Sequence, residues 1–571
     1  MDQHEILRKA ETWLSETYDE RTRAAVRELI SQGGEPLADA FYQDLDFGTG
    51  GLRGVMGPGT NRINRYTLGA ATQGLVHYLQ SQFADQTLRV VVAHDSRHNS
   101  QHYAQVVGEI LSANGVEALL FENLRPTPEL SFAIRYHQCQ SGIMITASHN
   151  PPEYNGYKVY WQDGGQLVPP HDQGVIAEVR KVKHHAIQFG PQKAAITTLG
   201  RETDQAYLEN IQHLSFQNAG KEQLKTVFTS IHGTSITLVP QAFENAGFKH
   251  FFSVKEQAQP DGDFPTVKSP NPEEAAALEM ALDLARTKEA DLVIGTDPDA
   301  DRVGIAVRNL AGELELLNGN QAAAVLLYYL LEQNQQKGLL TGKEFIAKTV
   351  VTSDLLSAMA QAYEVPCLEC LTGFKWIADL IRREEGKRRF IGGGEESYGY
   401  LIGDFVRDKD AVASAVMLAE AAAYAQSKGS SFYGMLLEVY QKFGFYLEEL
   451  ISMTRKGRKG AEEITQMMAD FRERTPETLG GEKVTEVLDF QAGQRFVRAE
   501  GQAQPLDFPK SNVVQFLTEQ GSRITARPSG TEPKIKFYIS VNTRLAEKAA
   551  YEETRQSLRE RIARIREDLG I

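Results

Sequence analysis

Apolar runs alternate with helical patterns along most of this chain. Residues 1 to about 45 carry apolar side chains at helical spacing, among them Leu7, Ala10 and Leu14. Strand-like apolar runs then occur at residues 88–93 and 116–121, with helical patterns after each. This order of strand and helix is typical of a sheet of mainly parallel strands with helices on both faces.

The same alternation recurs twice further along the chain. A second set begins with the strand-like run at 224–230, and a third begins with an Ala- and Leu-rich helix near Asn318. The final part has a different texture, with predicted strands at 523–525 and 534–539 and an amphipathic helix from about residue 546. The recurring sets share their order of elements but little sequence, so we interpret them as repeated topologies.

These patterns predict an α/β protein with four domains. Three are similar mixed-sheet α/β domains, and the last is a smaller α+β C-terminal domain, with a central cleft between them. The predicted boundaries are residues 1–203, 204–315, 316–455 and 456–571. A charged helical stretch at about 455–480 is interpreted as a linker or lid helix.

Composition and charge limit the classes of function. The chain has 571 residues, a net charge of −14 and no long basic run, which argues against binding to nucleic acid. No run approaches the roughly 20 apolar residues that a membrane helix needs. The N-terminal residues lack a signal-peptide pattern, and only three cysteines occur, without a second pair to complete a zinc site. We therefore expect a cytoplasmic protein without a membrane partner.

A hydroxyl follows one predicted strand directly. The strand-like residues 141–145 lead into Thr146-Ala147-Ser148-His149-Asn150 and two prolines. Side chains just beyond strand ends reach the crevice where open α/β sheets bind ligands. Taken alone, this stretch is also compatible with an ordinary loop.

Three carboxylates alternate in Asp297, Asp299 and Asp301. In an extended backbone, residues two apart point to the same side, so these side chains are expected to converge. Oxygen-only ligands favour a hard cation such as Mg²⁺. Arg302 stands where an EF-hand has its glycine, which excludes a calcium site of that kind. A solvated acidic turn remains the alternative.

Three further stretches have ligand-binding chemistry. Residues 47–54 are predicted to form a Gly-rich loop with Arg53 as its cation, and residues 392–397 place Glu395 after a strand, where a carboxylate can accept hydrogen bonds from sugar hydroxyls. Residues 527–531 offer a guanidinium, hydroxyls and glycine-exposed amides that suit one phosphate. The alternatives are a flexible turn, a helix N-terminus with favourable acids and a polar hairpin.

Together these motifs resemble the α-D-phosphohexomutase superfamily. The matching stretches run in the family's order from residue 47 to 533, so the resemblance covers nearly the whole chain. Residues 371–375 and 407–410, together with the length, are most similar to the branch that contains phosphoglucomutases and phosphopentomutases.

The resemblance implies a role for each motif. Ser148 would carry a phosphate, and the metal would be held by that phosphate with Asp297, Asp299 and Asp301. His149, Lys158 and Arg53 would be the other catalytic residues. The implied substrate-binding residues are Arg302, Thr372, Gly373, Lys375, Glu395, Ser397 and Lys409. The implied phosphate-binding residues are Arg527, Ser529, Gly530 and Thr531.

The resemblance also implies an isomerase. It would interconvert glucose 1-phosphate and glucose 6-phosphate through a phosphoserine, with one Mg²⁺ per active site and glucose 1,6-bisphosphate as activator and intermediate. Its partner would be a small sugar phosphate, and the chain would be a monomer or a dimer. A phosphopentomutase or phosphomannomutase is the alternative within the family. A metal-dependent sugar phosphatase and a non-catalytic sugar-phosphate binder are alternatives from other classes.

Overall fold

The computed structural model describes residues 3–48, 50–455, 457–529 and 534–571, and divides the chain into two compact units. Unit 1 comprises residues 1–317, 378–385 and 397–428. Unit 2 comprises residues 318–377, 386–396 and 429–571. Among the described helices, none combines the length and apolar character needed to cross a bilayer.

The first part of unit 1 begins with three helices and continues as a six-stranded sheet. Its elements are α1 (Gln3–Glu11), α2 (Glu20–Gln32), α3 (Gly34–Phe41), β1 (Gly51–Val55), α4 (Arg65–Gln82), β2 (Arg89–His94), α5 (Ser100–Ala113), β3 (Glu117–Phe121), α6 (Thr127–Tyr136), β4 (Ser141–Ile145), β5 (Tyr154–Trp161), α7 (His171–Val179) and β6 (Ile196–Leu199). The strand order is β1-β5-β4-β2-β3-β6. Strands β4, β2, β3 and β6 are parallel, whereas β5 pairs antiparallel with both of its neighbours, β4 and β1. The nearly continuous apolar sequence of β2 fits its place inside the sheet, where both faces are covered.

A second sheet follows in the same unit. Its elements are α8 (Arg201–His213), β7 (Lys225–Thr229), α9 (Val239–Asn245), β8 (His250–Ser253), α10 (Ala275–Lys288), β9 (Leu292–Thr296), β10 (Val303–Arg308) and β11 (Leu314–Leu317). The strand order is β11-β10-β9-β7-β8. Strands β9, β7 and β8 are parallel, whereas β10 runs antiparallel to β9 and β11.

The third α/β part is centred on a parallel strand, β12. The elements are α11 (Gly319–Gln336), β12 (Glu344–Thr349), α12 (Leu355–Ala362), β13 (Cys367–Cys370), α13 (Phe374–Glu384), β14 (Arg389–Gly394), β15 (Tyr400–Ile402), α14 (Ala411–Ser427) and α15 (Phe432–Phe443). Strand β12 pairs in parallel with β13 on one side and β14 on the other.

The last part is an antiparallel sheet with two long helices. Its elements are β16 (Phe445–Thr454), α16 (Gly457–Glu473), β17 (Thr478–Leu479), β18 (Glu482–Asp489), β19 (Gln494–Val497), β20 (Gln502–Pro505), β21 (Val514–Thr518), β22 (Arg523–Pro528), β23 (Lys534–Thr543) and α17 (Tyr551–Leu569). The main strand order is β16-β23-β22-β21-β18-β19-β20, and all of its pairs are antiparallel.

The predicted fold class is confirmed: mixed α/β sheets precede a C-terminal domain with an antiparallel sheet. The prediction that residues 47–54 form only a loop was wrong, because Gly51–Val55 is strand β1. Its glycines do not break the strand, because they permit close pairing with β5. Gly51 has φ 123°, and a Cβ there would lie 1.8 Å from the carbonyl oxygen of Tyr157.

Candidate active site

Ser148 lies just beyond the carboxyl end of β4, as its position in the sequence predicts. It is 4% exposed and adopts φ 52°, a left-handed conformation that a residue with a Cβ rarely takes. Its N–H donates to the hydroxyl of Thr146 at 2.9 Å. Its own hydroxyl donates to Asp297 Oδ2 at 2.7 Å and lies 3.1 Å from His149 Nδ1.

The pairing of β1 with β5 positions two of the predicted cations. Arg53 pairs with Gly156, and Gly51 pairs with Lys158 in the antiparallel register. The Arg53 guanidinium donates to Asn150 Oδ1 at 3.2 Å, two residues after Ser148. The Gly-rich strand thus brings Arg53 to the loop that carries the predicted nucleophile.

The three aspartates lie in the turn between β9 and β10, and we call residues 297–302 the acidic loop. One carboxylate oxygen from each lies within 4.8 Å of the others, so the predicted convergence is present. Its predicted cause, an extended backbone, was wrong. The loop is a tight turn with Ala300 at φ 55°, and Asp297 Oδ1 accepts the N–H groups of Asp301 and Arg302 at 3.1 and 3.0 Å.

Three separate segments of unit 1 hold the backbone of the acidic loop. The carbonyls of residues 298, 299 and 300 each accept one N–H, at 2.8, 2.9 and 3.2 Å. The donors are Thr234, Thr127 and Ala411, in that order. Since loops held from several sides have little freedom, the carboxylates are preorganised.

Two lysines neutralise part of the acidic charge. Lys158 Nζ donates to Asp299 Oδ2 at 2.7 Å and to Asp301 Oδ2 at 3.1 Å, and Lys409 Nζ lies 3.3 Å from the same Asp301 oxygen. Burial alone would lower the pKa of Lys158, but the two aspartates outweigh it and raise the pKa above its usual value. Lys158 is therefore a cation in this arrangement.

The carboxylates differ in their proton affinity. Burial, and then the charges of Asp299 and Asp301, raise the pKa of Asp297 well above its usual value. Burial also opposes ionisation of Asp299 and Asp301, but Lys158 counters it and holds both pKa values below the usual range. The three carboxylates therefore differ in proton affinity, which is highest at Asp297.

The acidic loop has the donor set for a metal ion. Asp299 Oδ1 and Asp301 Oδ1 are buried and have no hydrogen-bond partner within the part of the chain that the structure describes. Buried carboxylate oxygens without partners carry a large desolvation penalty, which a bound cation removes. These residues therefore fit a hard divalent cation held by oxygen alone.

His149 is uncharged at neutral pH. Burial, followed by the positive charges of Arg302 and Arg53, lowers its pKa to about 3. The imidazole next to Ser148 therefore acts as a neutral hydrogen-bonding group. Its Nδ1 is within reach of the Ser148 hydroxyl, and its protonated form is strongly disfavoured.

The remaining predicted residues of unit 1 lie within the acidic loop or beside it. Arg302 forms an ion pair with Glu273. Ser397 precedes Tyr398, whose carbonyl accepts the N–H of Val303 at 3.0 Å. Ser148, Lys158 and Lys409 each contact at least one of the three aspartates, so these six residues form one connected group.

Other predicted substrate-binding residues lie in unit 2. The N–H of Gly373 donates to Glu395 Oε1 at 2.9 Å, which joins the turn after β13 to the end of β14. Thr372 lies beside it, with a buried hydroxyl, and the ammonium of Lys375 lies 5.2 Å from the ring centre of Trp376. The structure therefore brings Thr372, Gly373 and Glu395 together.

The predicted phosphate-binding turn is described only in part. Arg527 pairs with Lys536 in β22 and β23, and the N–H of Ser529 donates to the carbonyl of Lys534 at 2.7 Å. Gly530 and Thr531 lie outside the described residues. Their roles, and those of all predicted site residues, stay predictions.

Several residues in the site were not predicted. Asp95 and Arg97 follow β2, which runs parallel to β4, so the residues after both strands meet at one sheet edge. That parallel pairing is the signal that could have identified them. Ala411 acts through its backbone N–H, which no sequence signal marks. Thr127 donates both its backbone N–H, at 2.9 Å to the carbonyl of Asp299, and its hydroxyl, at 3.1 Å to Asp299 Oδ2.

Four family models together match most of the chain. They are the phosphoglucomutase/phosphomannomutase alpha/beta/alpha domains I, II and III, at residues 44–186, 205–312 and 318–443, and the C-terminal domain of the same family at residues 456–556.

Relatives and solved structures agree with these matches. A phosphoglucomutase of Staphylococcus epidermidis is 38% identical over 517 residues, which cover 90% of this chain and 93% of that protein. The Paramecium phosphoprotein pp63/parafusin, a phosphoglucomutase in its open form, has a TM-score of 0.67 at 18% identity over 93% of this chain and 96% of that one. A phosphoglucomutase/phosphomannomutase family protein of Burkholderia thailandensis has a TM-score of 0.65 at 17% identity, over 90% and 96%. The two structures support the fold.

Proposed function

The chain belongs to the phosphoglucomutase/phosphomannomutase family, and we propose that it is a phosphoglucomutase that interconverts glucose 1-phosphate and glucose 6-phosphate. The reaction is an isomerisation in which Ser148 carries the transferred phosphoryl group. Relatives with 38% identity over nine-tenths of the chain carry the name phosphoglucomutase, which favours glucose over mannose and pentose phosphates.

The hydrogen bond between Ser148 and Asp297 is the main observation that supports this proposal. The Ser148 hydroxyl lies 2.7 Å from Asp297 Oδ2, inside a buried group of three aspartates. A phosphate on that hydroxyl would be next to the oxygen ligands of a metal ion. Phosphoryl transfer depends mainly on positioning and charge neutralisation. The contact with Asp297 favours the positioning, and a cation bound to the aspartates would supply the neutralisation.

Mg²⁺ is the cation we assign to the acidic loop. Asp297, Asp299 and Asp301 would hold it together with a phosphate oxygen on Ser148, since Mg²⁺ prefers oxygen ligands and phosphates. When bound, the ion would withdraw charge from the phosphoryl oxygens.

Lys158 and His149 would have different roles at the reacting oxygen. Lys158 is held as a cation by two aspartates, so it would support negative charge at the reacting oxygen. His149 remains neutral and orients the Ser148 oxygen through Nδ1. Arg53, fixed by Asn150, adds positive charge beside the same loop.

The sugar would be bound by the other predicted residues. Glu395 and Ser397 would accept hydrogen bonds from hydroxyl groups, and Lys409 and Arg302 would contact the phosphorylated sugar. Arg527, Ser529, Gly530 and Thr531 would hold the phosphate that is not reacting. In each turnover the Ser148–phosphate bond breaks as a bond forms to a sugar hydroxyl. This gives glucose 1,6-bisphosphate, whose other phosphate then returns to Ser148.

The test is intact mass together with turnover. We expect the purified protein, incubated with glucose 1,6-bisphosphate, to gain one phosphate-sized increment, which Ser148→Ala abolishes along with mutase activity. Ser427→Ala, at an exposed serine of α14, is the control that keeps both. Normal turnover by Ser148→Ala would rule out the phosphoserine mechanism.

A panel of sugar 1-phosphates tests the substrate. The proposal expects kcat/KM for glucose 1-phosphate to exceed the values for the mannose and ribose compounds. Equal values for ribose and glucose would overturn the glucose assignment. Release of inorganic phosphate without isomer formation would instead identify a phosphatase.

A further inference from the structure

Arg97 lies at the carboxyl end of β2, beside the loop that carries Ser148. Strands β2 and β4 are parallel neighbours, and His94 pairs with Ile145 at their ends. The chain leaves β2 through Asp95 to Arg97, while the neighbouring strand continues to Ser148. The side chain of Arg97 is fully buried, although it carries a charge.

The Arg97 guanidinium binds four carbonyl oxygens of one loop. Nη2 donates to Ser148 at 2.6 Å and also to Asn150. Nη1 donates to Pro151 at 2.8 Å and to Tyr154 at 3.2 Å. A planar guanidinium presents its donors in a fixed fork, so these contacts fix the shape of residues 148–154.

Asp95 holds Arg97 in place through two contacts. Its Oδ2 lies 3.4 Å from Arg97 Nε, and both side chains are fully buried. Its Oδ1 accepts the N–H of Arg97 at 2.9 Å and the Ser100 hydroxyl at 2.7 Å. On the N–H side of Ser148, the Thr146 hydroxyl accepts the Ser148 N–H at 2.9 Å.

The backbone of Ser148 is therefore held at both polar groups. Its N–H is bound by Thr146, and its C=O is bound by Arg97. This residue has φ 52°, which costs energy for any residue with a Cβ and persists only when neighbours enforce it. In that conformation the hydroxyl reaches Asp297 at 2.7 Å.

We infer that Asp95, Arg97 and Thr146 form a clamp that holds Ser148 in its left-handed conformation, with Arg97 as the main positioning residue of the proposed phosphoryl carrier. Arg97 does not touch the reacting atoms. It keeps the Ser148 oxygen aimed at the acidic loop in both half-reactions. This inference rests on the proposed function, because it concerns the same serine.

Two substitutions test the clamp. Arg97→Lys keeps a positive charge but cannot span four carbonyls, and Thr146→Val removes the acceptor of the Ser148 N–H while leaving the buried charges intact. Since a misplacement of about 1 Å can cost on the order of 10²-fold in rate, we expect a kcat decrease of that order for Arg97→Lys. KM for glucose 1-phosphate should stay within about threefold, because the Arg97 side chain is fully buried and its donors are bound to backbone carbonyls.

The rate of phosphoryl transfer separates positioning from general stability. In rapid-quench experiments with glucose 1,6-bisphosphate, phosphorylation of Ser148 should slow as much as kcat does. The control is Arg308→Lys, at an arginine that also donates to two carbonyls, Ala290 at 2.9 Å and Gly312 at 2.7 Å, away from Ser148. This control should keep wild-type transfer and turnover.

The results distinguish a failure of the clamp from a failure of the proposed function. If wild-type protein neither carries phosphate on Ser148 nor isomerises the sugar phosphate, the proposed function fails. If wild type does both and Arg97→Lys matches it in kcat and transfer rate, the clamp alone is overturned. If Arg97→Lys does not fold, Thr146→Val decides: a slower transfer at unchanged KM supports the clamp, and wild-type transfer overturns it.

Discussion

Lys158 stands between two of the three aspartates of the acidic loop and shares their charge. Its ammonium is bound at 2.7 and 3.1 Å to the carboxylates that a metal ion would also use. The same side chain therefore stabilises the acidic loop in the absence of the cation, and under the proposed function it would support charge on the substrate in its presence.

Replacing Lys158 by methionine should make folding of unit 1 depend on metal. Removal of one partner of a buried ion pair typically costs about 3–5 kcal/mol, because the remaining charges are uncompensated. We expect Lys158→Met to lower Tm in EDTA and to gain more Tm than wild type when Mg²⁺ is added. The control is Lys225→Met, at a partly exposed lysine in β7. An equal Mg²⁺ response in variant and wild type would contradict the shared-charge account.

The lowered pKa of His149 predicts that the free energy of unfolding decreases at acidic pH. The unfolded chain binds a proton on this residue near pH 6.5, whereas the folded chain does so only near pH 3. Acidification below pH 6.5 therefore favours unfolding, by about 1–2 kcal/mol at pH 5 from this group alone. We expect His149→Gln to lose less Tm than wild type between pH 7 and pH 5, measured in EDTA.

The matched control for that pH series is His102→Gln, at an exposed histidine of α5. It should follow the wild-type curve. A wild-type pH dependence in His149→Gln would show that the imidazole does not remain neutral in the folded protein.

At the scale of elements, the acidic loop depends on its neighbours more than on its own sequence. Its backbone carbonyls are bound by N–H groups from three segments, and Gly233 lies directly against Pro298. A Cβ on Gly233 would lie 2.5 Å from Cα and 2.7 Å from the carbonyl oxygen of Pro298. The close approach requires glycine at this position.

Gly233→Ala should displace the acidic loop without unfolding the sheet. We expect kcat to fall by roughly 10- to 100-fold, since small misplacements near the reacting groups are costly, and half-maximal activity to require more Mg²⁺. The control is Gly190→Ala, where nothing lies within 4 Å of an added Cβ. Unchanged Mg²⁺ dependence in Gly233→Ala would disprove this role for the contact.

Strands and helices were easier to predict from the sequence than the hydrogen bonds that hold the loops between them. Strands such as β2 and β9 are recognisable because continuous apolar runs fit positions covered on both faces. Strand β1 was missed because its glycines fit a loop equally well, and only the close approach of the Tyr157 carbonyl in β5 explains Gly51. The three aspartates were found by spacing, but the turn that brings them together was not. Its bonds come from Thr127, Thr234 and Ala411, which are distant in sequence.

At the scale of the whole molecule, the chain forms two compact units. Unit 2 contains its own buried charges. Lys348 Nζ lies 2.8 Å from Asp354 and 2.7 Å from Glu369, and Arg523 of the C-terminal sheet lies 2.8 Å from Asp354. These ion pairs join the C-terminal sheet to the strands around β12.

Calorimetry should therefore resolve two responses. Mg²⁺ at 100 times its dissociation constant stabilises the unit that binds it by about 2.7 kcal/mol, and we expect this in the transition of unit 1. Lys348→Met should lower the transition of unit 2 by about 3–5 kcal/mol, because it leaves Asp354 and Glu369 partly uncompensated. The control is Lys343→Met, at an exposed lysine beside β12. A single transition that shifts with both changes would contradict independent units.

The three supports of the acidic loop also set an order for its assembly during protein synthesis. The ribosome makes the three aspartates by residue 301, but the last backbone donor, Ala411, is 110 residues further on. At a synthesis rate of 5–20 residues per second, Ala411 is added roughly 5–20 s after Asp301. During this interval the nascent chain exposes a cluster of negative charges that is already complete in sequence but not yet held in place.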